Sequence, residues 1–284
     1  MLTFDQKASV IIPVYNQWNS LCKVLTGFSN QNIPKEHFQI IVVDDGSEDR
    51  LHTENSLTLG EKYNIDIVLY HQKNKGRAAA RNVGIELADN DILIFCDGDR
   101  IPSANFVSSH IESHKEKNHV IIGSQYDLFY KNIDRLFNNE INWTLIERFS
   151  RVPNYYSRII KIYLDKTSIS NLRWMSFLVG NSSVSKDIIT NVGTFDEDFD
   201  EWGFEHFELG LRMQYAGVIF NVEPEAANYH IPHLRENNFY SEMIDKSAAI
   251  LHNKHPEVNI DAMKHILMNN IDVRDFSDRI LGDG

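Results

Sequence analysis

The sequence predicts an α/β fold in which a mostly parallel central sheet carries helices on both faces. Short runs of β-branched residues each end in polar residues, and segments with helical spacing separate them. Strands that alternate with helices are typical of parallel sheets. The chain has 284 residues with 42% hydrophobic content, enough to bury the core of such a sheet in one large domain.

The first three elements form a β-α-β unit. Residues 9–16 read Ser-Val-Ile-Ile-Pro-Val-Tyr-Asn, and residues 39–47 read Gln-Ile-Ile-Val-Val-Asp-Asp-Gly-Ser, so both are strands that run into polar loops. Between them, Trp18 to Phe28 has the spacing of an amphipathic helix. Its apolar face consists of Leu21, Val24, Leu25 and Phe28.

The alternation then repeats, with a strand over residues 65–70, a helix over 76–87 and a strand over 92–96. In such sheets, ligands bind beyond the carboxyl ends of the strands. Six polar or aromatic residues fall at those ends: Tyr15, Asn16, Asp44, Asp45, Asp97 and Asp99. This edge of the sheet is therefore the predicted ligand-binding site.

The tripeptide Asp97-Gly98-Asp99 indicates the chemistry of that site. Two carboxylates at the mouth of a buried strand offer hard oxygen ligands, which can hold Mg²⁺ or Mn²⁺ against a diphosphate. An acid-x-acid triplet alone also fits a solvated turn. Its place among the other strand ends favours a site for an activated nucleotide.

Five blocks of the sequence resemble the family-two glycosyltransferases with the GT-A fold. The first four blocks cover residues 10–16, 41–47, 74–84 and 97–99. The fifth, from Gly193 through Glu205 to Arg212, is similar to the acceptor-side signature of galactosyl- and N-acetylhexosaminyltransferases, including chondroitin-synthase-type domains. The resemblance implies transfer of a hexose or N-acetylhexosamine from a UDP-sugar to the hydroxyl of a carbohydrate, lipid-linked or peptide acceptor.

Donor-binding residues are expected in the first three loops. Pro13, Val14, Tyr15 and Asn16 offer backbone groups and an aromatic face to a uracil ring. The resemblance favours Asp45 for base recognition, whereas Asp44 is expected to cap the turn before Gly46. Two arginines four residues apart follow Gly76 at a helix start, where phosphates are favoured. They are Arg77 and Arg81, and the family motif places its basic residue at Arg81.

The predicted cation, Mn²⁺ or Mg²⁺, is assigned to Asp99 directly and to Asp97, which binds it through water or binds the ribose. With Gly98, Asp97 also counts among the substrate-binding residues. Two carboxylates are too few to hold the ion without the diphosphate, so a third ligand is expected. A histidine follows the acceptor block in the hexosaminyltransferase relatives, and His230 fits that position best, with His233 as its competitor.

The acceptor side is predicted on a helix within residues 202–217. Trp202 and Gly203 are expected to form a platform for a sugar ring, and Glu208 to pair with Arg212. Inverting relatives usually carry an aspartate base after the glutamate, but this chain has Glu205 followed by His206. Either residue can take the acceptor proton, and a retaining reaction without a base stays open. Inversion is the prediction.

The net charge of −12 argues against a nucleic acid partner. Residues 131–175 carry +4 and several aromatic residues, whereas the remainder carries −16. This insert is expected either to receive an anionic or lipid-linked acceptor, to contact an acidic membrane surface, or to pack on the sheet edge with solvated charges.

The expected domain boundaries are 1–235 for the transferase domain, with a nucleotide-binding half at 1–100 and an acceptor-side half at 101–235, and 236–284 for a helical extension. The tail over 261–281 is expected to pack on the body or on a second subunit. The first residues lead directly into a predicted strand, so no secretory signal is expected. With only two cysteines in the chain, a cytoplasmic location without disulfides is expected, and peripheral membrane contact and a homo-oligomer both stay open.

Two other function classes compete with the transferase. A nucleotidyltransferase also binds nucleotides and Mg²⁺ over an α/β sheet, but usually carries a glycine-rich basic loop where this chain has Pro-Val-Tyr-Asn. A catalytically silent sugar-nucleotide binding module would explain the aspartate missing at position 206.

Overall fold

The computed structural model describes residues 6–115, 118–138, 140–164, 170–200, 203–233, 239–261 and 263–264. Nine strands in this part of the chain form one sheet. They are β1 (Ala8–Val14), β2 (Phe38–Asp44), β3 (Asp66–His71), β4 (Ile92–Cys96), β5 (Arg100–Pro102), β6 (His119–Leu128), β7 (Ser150–Arg151), β8 (Asn181–Ser185) and β9 (Ile219–His230).

Helices connect these strands and cover the sheet. They are α1 (Trp18–Ser29), α2 (Ser56–Tyr63), α3 (Arg77–Glu86), α4 (Phe106–Ser113), α5 (Trp143–Arg148), α6 (Asn154–Leu164), α7 (Lys186–Val192), α8 (Glu205–Tyr215) and α9 (Phe239–Lys254). Short 3₁₀ turns occur at Lys35–His37, Arg50–Thr53, Ile133–Phe137 and Ser170–Ser176.

The strand order is β3-β2-β1-β4-β8-β6-β9-β5, with β7 attached to β6. The first four strands are parallel, as predicted, and β6 and β9 are also parallel. The other four pairings are antiparallel, so the sheet is mixed rather than mostly parallel. Strand β8 lies between β4 and β6 and runs antiparallel to both, so the strand direction reverses at the middle of the sheet.

Apolar residues fill both faces of the sheet. On one face of the sheet, Val10 and Ile12 of β1 belong to the same core cluster as α1 and α4. On the opposite face, Ile11 packs with α3. The predicted apolar face of α1 is fully buried, and Phe28 contacts Phe106 edge to face. Burial of each such side chain contributes about 1.5–3 kcal/mol, so α1 is held to the sheet mainly by this face.

Most of the described aromatic residues in the insert 131–175 are packed. Tyr156 and Trp174 are buried, and Trp143 packs against Tyr229 in a small satellite core. Charged residues of the insert lie at the surface: Lys131, Arg135, Arg148 and Arg151. The described part of the insert thus packs at the sheet edge, and its contact with an acceptor or a membrane surface stays a prediction.

The carboxyl-terminal region is described as far as residue 264, apart from residue 262. Helix α9 packs on the main core through Ala248 and Leu251, and Met263 is buried there too. The rest of the predicted helix over 261–281 lies outside the described residues. Within the described ranges, no helix combines the length and the apolar composition needed to cross a membrane.

Candidate active site

The loops after β1 and β2 are bound to each other at the carboxyl ends of the strands. Asn16 has a left-handed backbone, with φ of 53°, and its N–H donates to Ser47 Oγ at 2.8 Å. In return, Asn16 Oδ1 accepts from the Glu48 N–H at 2.8 Å. These bonds hold the last residues of β1, Pro13 and Val14, beside β2, and Tyr15 is 49% exposed at the edge of the sheet.

Asp45 organises the loop that leads into α3. Its Oδ1 accepts from Gln72 Nε2 at 2.7 Å and from the Lys75 N–H at 2.8 Å, and its Oδ2 accepts from the Gly76 N–H at 2.9 Å. Gly76 has a φ of +88°, and a Cβ there would lie 2.7 Å from the Asp200 carbonyl oxygen, so glycine is required. The neighbouring Asp44 caps its turn as expected, since Oδ1 accepts from the Ser47 N–H at 2.9 Å.

Arg81 joins the nucleotide half to the acceptor half. Its Nη1 donates to Glu205 Oε1 at 2.8 Å, and its Nη2 donates to Asp97 Oδ1 at 3.0 Å. The guanidinium also lies over the Phe195 ring, 5.6 Å from the centroid, and the side chain is 1% exposed. The structure therefore places Arg81 between two carboxylates, whereas Arg77, one turn earlier on α3, lies close enough to act electrostatically on Glu205.

A strained turn presents Glu205 and His206 at the start of α8. Gly203 has a φ of +98° and Phe204 a φ of +69°, which is unusual for a bulky residue and often marks functional sites. Glu205 Oε2 makes no hydrogen bond within the described residues and lies 3.7 Å from His206 Nδ1. Residue Trp202, predicted to form the platform with Gly203, lies outside the described residues.

Burial alone would favour the neutral form of Glu205. The neighbouring His206 and the guanidinium charges of Arg81 and Arg77 outweigh that effect and hold the pKa of the Glu205 carboxyl below its ordinary value. Glu205 is therefore a carboxylate at neutral pH.

Further along α8, Glu208 pairs with Arg212 at 2.7 Å as predicted. Glu208 is buried, and His255 Nε2, just after α9, lies 3.1 Å from its Oε1.

The structure separates the two acids of the Asp97-Gly98-Asp99 loop. Asp97 Oδ2 lies 3.6 Å from Arg100 Nε, so Asp97 is held between Arg100 and Arg81. Arg100 is itself buried and donates to Tyr155 Oη at 3.1 Å. Gly98 lies under the β1 loop, where an added Cβ would be 3.0 Å from Val14 Cγ2.

Asp99 meets two histidines instead. Asp99, His230 and His233 each offer one ligand atom, and these atoms lie within 4.8 Å of one another. Asp99 Oδ2 is 3.6 Å from His230 Nε2 and 3.5 Å from His233 Nδ1. Both histidines considered from the sequence thus reach Asp99, whereas Asp97 is not in this group.

The donor set fits a divalent cation. One carboxylate oxygen and two imidazole nitrogens can hold a divalent metal ion, and three protein ligands leave coordination positions for others. Burial disfavours the charged form of Asp99, but His230, Arg100 and His233 outweigh it and lower its pKa, so a carboxylate faces the site. Burial likewise opposes the charged form of His230, yet Asp127 and Asp99 raise its pKa.

Three residues that the sequence reasoning missed contact this site. Gln17 Nε2 donates to Asp99 Oδ2 at 3.2 Å, Asp127 Oδ1 lies 3.1 Å from His230 Nδ1, and Arg100 lies beside Asp97. Arg100 directly follows the acidic triplet, so its position was a usable signal. Gln17 and Asp127 lie outside the five family-like blocks of the sequence, and only the fold brings them to the site.

Comparison with known proteins now identifies the family. Residues 9–176 match the family model described as glycosyl transferase family 2. The chain belongs to glycosyl transferase family 2. An uncharacterised glycosyltransferase of Bacillus subtilis is 29% identical over 80% of this chain and 65% of its own length. The chondroitin synthase of Pasteurella multocida is 32% identical over 78% of this chain and 24% of its own length.

A validoxylamine A glucosyltransferase of Streptomyces hygroscopicus is 28% identical over 88% of this chain and 61% of its own length. This family 2 chain therefore spans less than two thirds of each of these three relatives.

Solved structures confirm the predicted GT-A fold. TarS of S. aureus in complex with UDP-GlcNAc has a TM-score of 0.59 at 18% identity, covering 92% of this chain and 70% of TarS. A mannosyltransferase of Pyrobaculum calidifontis in complex with GDP-Man and Mn²⁺ has a TM-score of 0.61 at 14% identity, covering 94% of this chain and 72% of that protein. The chain is accordingly a member of glycosyl transferase family 2 whose fold is shared by proteins solved with nucleotide sugars.

Proposed function

We propose that this chain transfers a hexose or N-acetylhexosamine from a UDP-sugar to an acceptor hydroxyl, with inversion and with Mn²⁺ or Mg²⁺ at Asp99, His230 and His233. The observation that carries this proposal is the bridge from Asp97 through Arg81 to Glu205. This bridge joins the sheet edge, where the donor would lie, to the start of α8, which would face the acceptor.

The acceptor capacity of Asp45 supports uracil as the base. An ionised carboxylate has about four lone-pair sites, and three are used by Gln72, Lys75 and Gly76. The one site left, on Oδ2, matches the single imide N–H of uracil, whereas guanine presents two neighbouring N–H donors. Tyr15 supplies an exposed aromatic ring and directly follows Val14, whose carbonyl accepts from the Asp45 N–H at 2.8 Å. UDP-GlcNAc in the TarS complex agrees with this choice.

Different residues would bind the diphosphate and the ribose of the donor. A bound divalent cation would neutralise the charge that develops on the leaving diphosphate. Asp97, oriented by Arg81 and Arg100, would accept hydrogen bonds from the ribose hydroxyls. Arg77 lies at the start of α3, where the helix dipole also favours phosphate.

His206 is the proposed base, with Glu205 as its neighbour. His206, Arg81 and Arg77 together lower the pKa of Glu205, and a weak base takes an acceptor proton poorly. The His206 side chain is also more accessible, at 16% against 2% for Glu205. As the acceptor oxygen attacks the anomeric carbon, its proton would pass to His206, the bond from that carbon to the diphosphate oxygen would break, and UDP would leave.

A product assay with labelled nucleotide sugars and Mn²⁺ tests the proposal. Release of UDP together with free or transferred sugar is the expected result. Release of pyrophosphate would indicate a nucleotidyltransferase, and binding without turnover would indicate a silent binding module. The relatives named as chondroitin synthase and validoxylamine A glucosyltransferase support carbohydrate-like hydroxyls as the first acceptors to test.

A further inference from the structure

A carboxylate on β6 contacts the candidate cation site from behind. Asp127 lies directly across the sheet from His230 in the pairing of β6 with β9. Its Oδ1 is 3.1 Å from His230 Nδ1, while the other ring nitrogen, Nε2, lies 3.6 Å from Asp99 Oδ2. The two nitrogens of one imidazole therefore face different carboxylates.

These contacts determine which nitrogen can bind a cation. An ionised carboxylate only accepts hydrogen bonds, so Nδ1 must carry a proton when it bonds to Asp127. In the neutral ring, Nε2 then has the free lone pair and points toward Asp99, which is the tautomer needed for metal binding there. Carboxylates in this position also fix the orientation of the ring and increase its basicity.

We propose that Asp127 is a positioning residue for the divalent cation, which it serves by holding His230 in the metal-binding tautomer and orientation. The inference rests on the proposed function, because it takes Asp99, His230 and His233 as the cation ligands. Asp127 itself would not touch the ion.

The contact is poorly explained by stability alone. The side chains of Asp127 and His230 are 32% and 21% exposed, and partly exposed ion pairs add little stability. Strands β6 and β9 are already paired along nine residues of each strand. Arg151, which lies opposite Asp127 on β7, directs its Nη1 to the carbonyls of Arg148 and Ser150 instead.

Titration of the metal-free protein with Mn²⁺ alone, followed by electron paramagnetic resonance, tests the proposal. We expect Asp127→Asn, which keeps the size and one acceptor oxygen but loses the charge, to weaken Mn²⁺ affinity by about 10-fold or more. Asp127→Ala should weaken it further. Asp134→Asn is the matched control, since Asp134 is a more exposed carboxylate in the insert that follows β6, is paired with Lys23, and should leave the affinity unchanged.

A second measurement separates positioning from folding. Nitrogen NMR of His230 in the metal-free protein, at a pH where the ring is neutral, should give the Nδ1–H tautomer in the wild type and a mixture in Asp127→Ala. If the wild type binds Mn²⁺ and His230→Ala weakens that binding, but Asp127→Asn and Asp127→Ala bind like the wild type, the inference is overturned and the cation site stands. If the wild type does not bind Mn²⁺, the cation site and the inference both fail.

Discussion

Arg81 Nη1 lies 2.8 Å from Glu205 Oε1, although 124 residues separate the two in sequence. Both side chains are almost fully buried, at 1% and 2% exposed. The same guanidinium reaches Asp97, so one arginine fixes the relative position of α3, the β4 loop and α8. An ion pair this deeply buried is costly to break, because the remaining partner keeps an uncompensated charge.

Replacement of Arg81 should therefore destabilise the fold strongly. We expect Arg81→Met to lower the free energy of unfolding by about 3–5 kcal/mol, measured by urea denaturation. The matched control is Arg50→Met, which breaks a more exposed i,i+4 pair with Glu54 and should cost less than about 1 kcal/mol. Equal losses for the two variants would contradict the role of Arg81.

His206→Asn should slow transfer by about 10²-fold or more with donor affinity nearly unchanged, because the residue acts only on the acceptor proton. Steady-state rates and a separate measurement of UDP binding check this. His252→Asn makes the same substitution on an exposed position of α9 and should have no effect. A mild effect of His206→Asn beside a severe effect of Glu205→Gln would instead assign the base to Glu205.

The two acids of the triplet should differ in what their loss affects. Asp99→Ala should abolish turnover, whereas His230→Ala and His233→Ala should each raise the Mn²⁺ concentration needed for half-maximal rate, since all three offer ligand atoms to one site. Asp97→Asn should raise the KM for the donor, because Asp97 is proposed to bind the ribose. It should leave the Mn²⁺ requirement in place, because Asp97 faces Arg81 and Arg100 and is not in the group of cation ligands. Full activity of Asp99→Ala in excess chelator would exclude the cation site.

Acid should weaken the fold through two buried histidines on and after α4. Burial lowers the pKa of His110 to about 3 and that of His114 to about 4. Both rings bond to Ser183 Oγ at 2.8 Å as neutral groups. The unfolded chain binds protons below about pH 6.5, whereas the folded chain does not, so stability is full above that pH and is lost as the pH falls toward 4 and then 3.

Urea unfolding at pH 7, 6 and 5 measures this dependence. We expect the free energy of unfolding to fall at each step and to fall less steeply in His110→Gln, with His252→Gln as the control that keeps the wild-type slope. If the free energy of unfolding of His110→Gln fell with pH as steeply as that of the wild type, His110 would not be a cause of the acid sensitivity.

Much of the nucleotide half was predictable because its signals are local. The strand over 92–96 and the helix from Trp18 were found within a residue of their observed ends, since apolar runs bounded by polar residues need no distant partner to be recognised. Helix α2 was missed. It buries only Leu59 and Tyr63 and leaves Leu57 71% exposed, so its sequence carries a weak apolar face.

The cation site was predictable only in part. Motif positions indicate Asp99 and His230. The contribution of Asp127 depends on the register of β6 against β9, and Arg81 meets Glu205 only where the fold brings α3 close to the start of α8. Such pairings join residues more than 100 positions apart, and no local pattern encodes them.

The central claim is that transfer inverts the anomeric configuration with His206 as the base. It is tested most directly by the anomer that is released first from a UDP-sugar. In the absence of acceptor, water can replace the acceptor hydroxyl, and proton NMR can read the configuration of the free sugar before mutarotation. With an α-linked donor and Mn²⁺, direct displacement assisted by His206 predicts the β-anomer as the first product. Release of the α-anomer would show retention and would contradict a single displacement with His206 as its base.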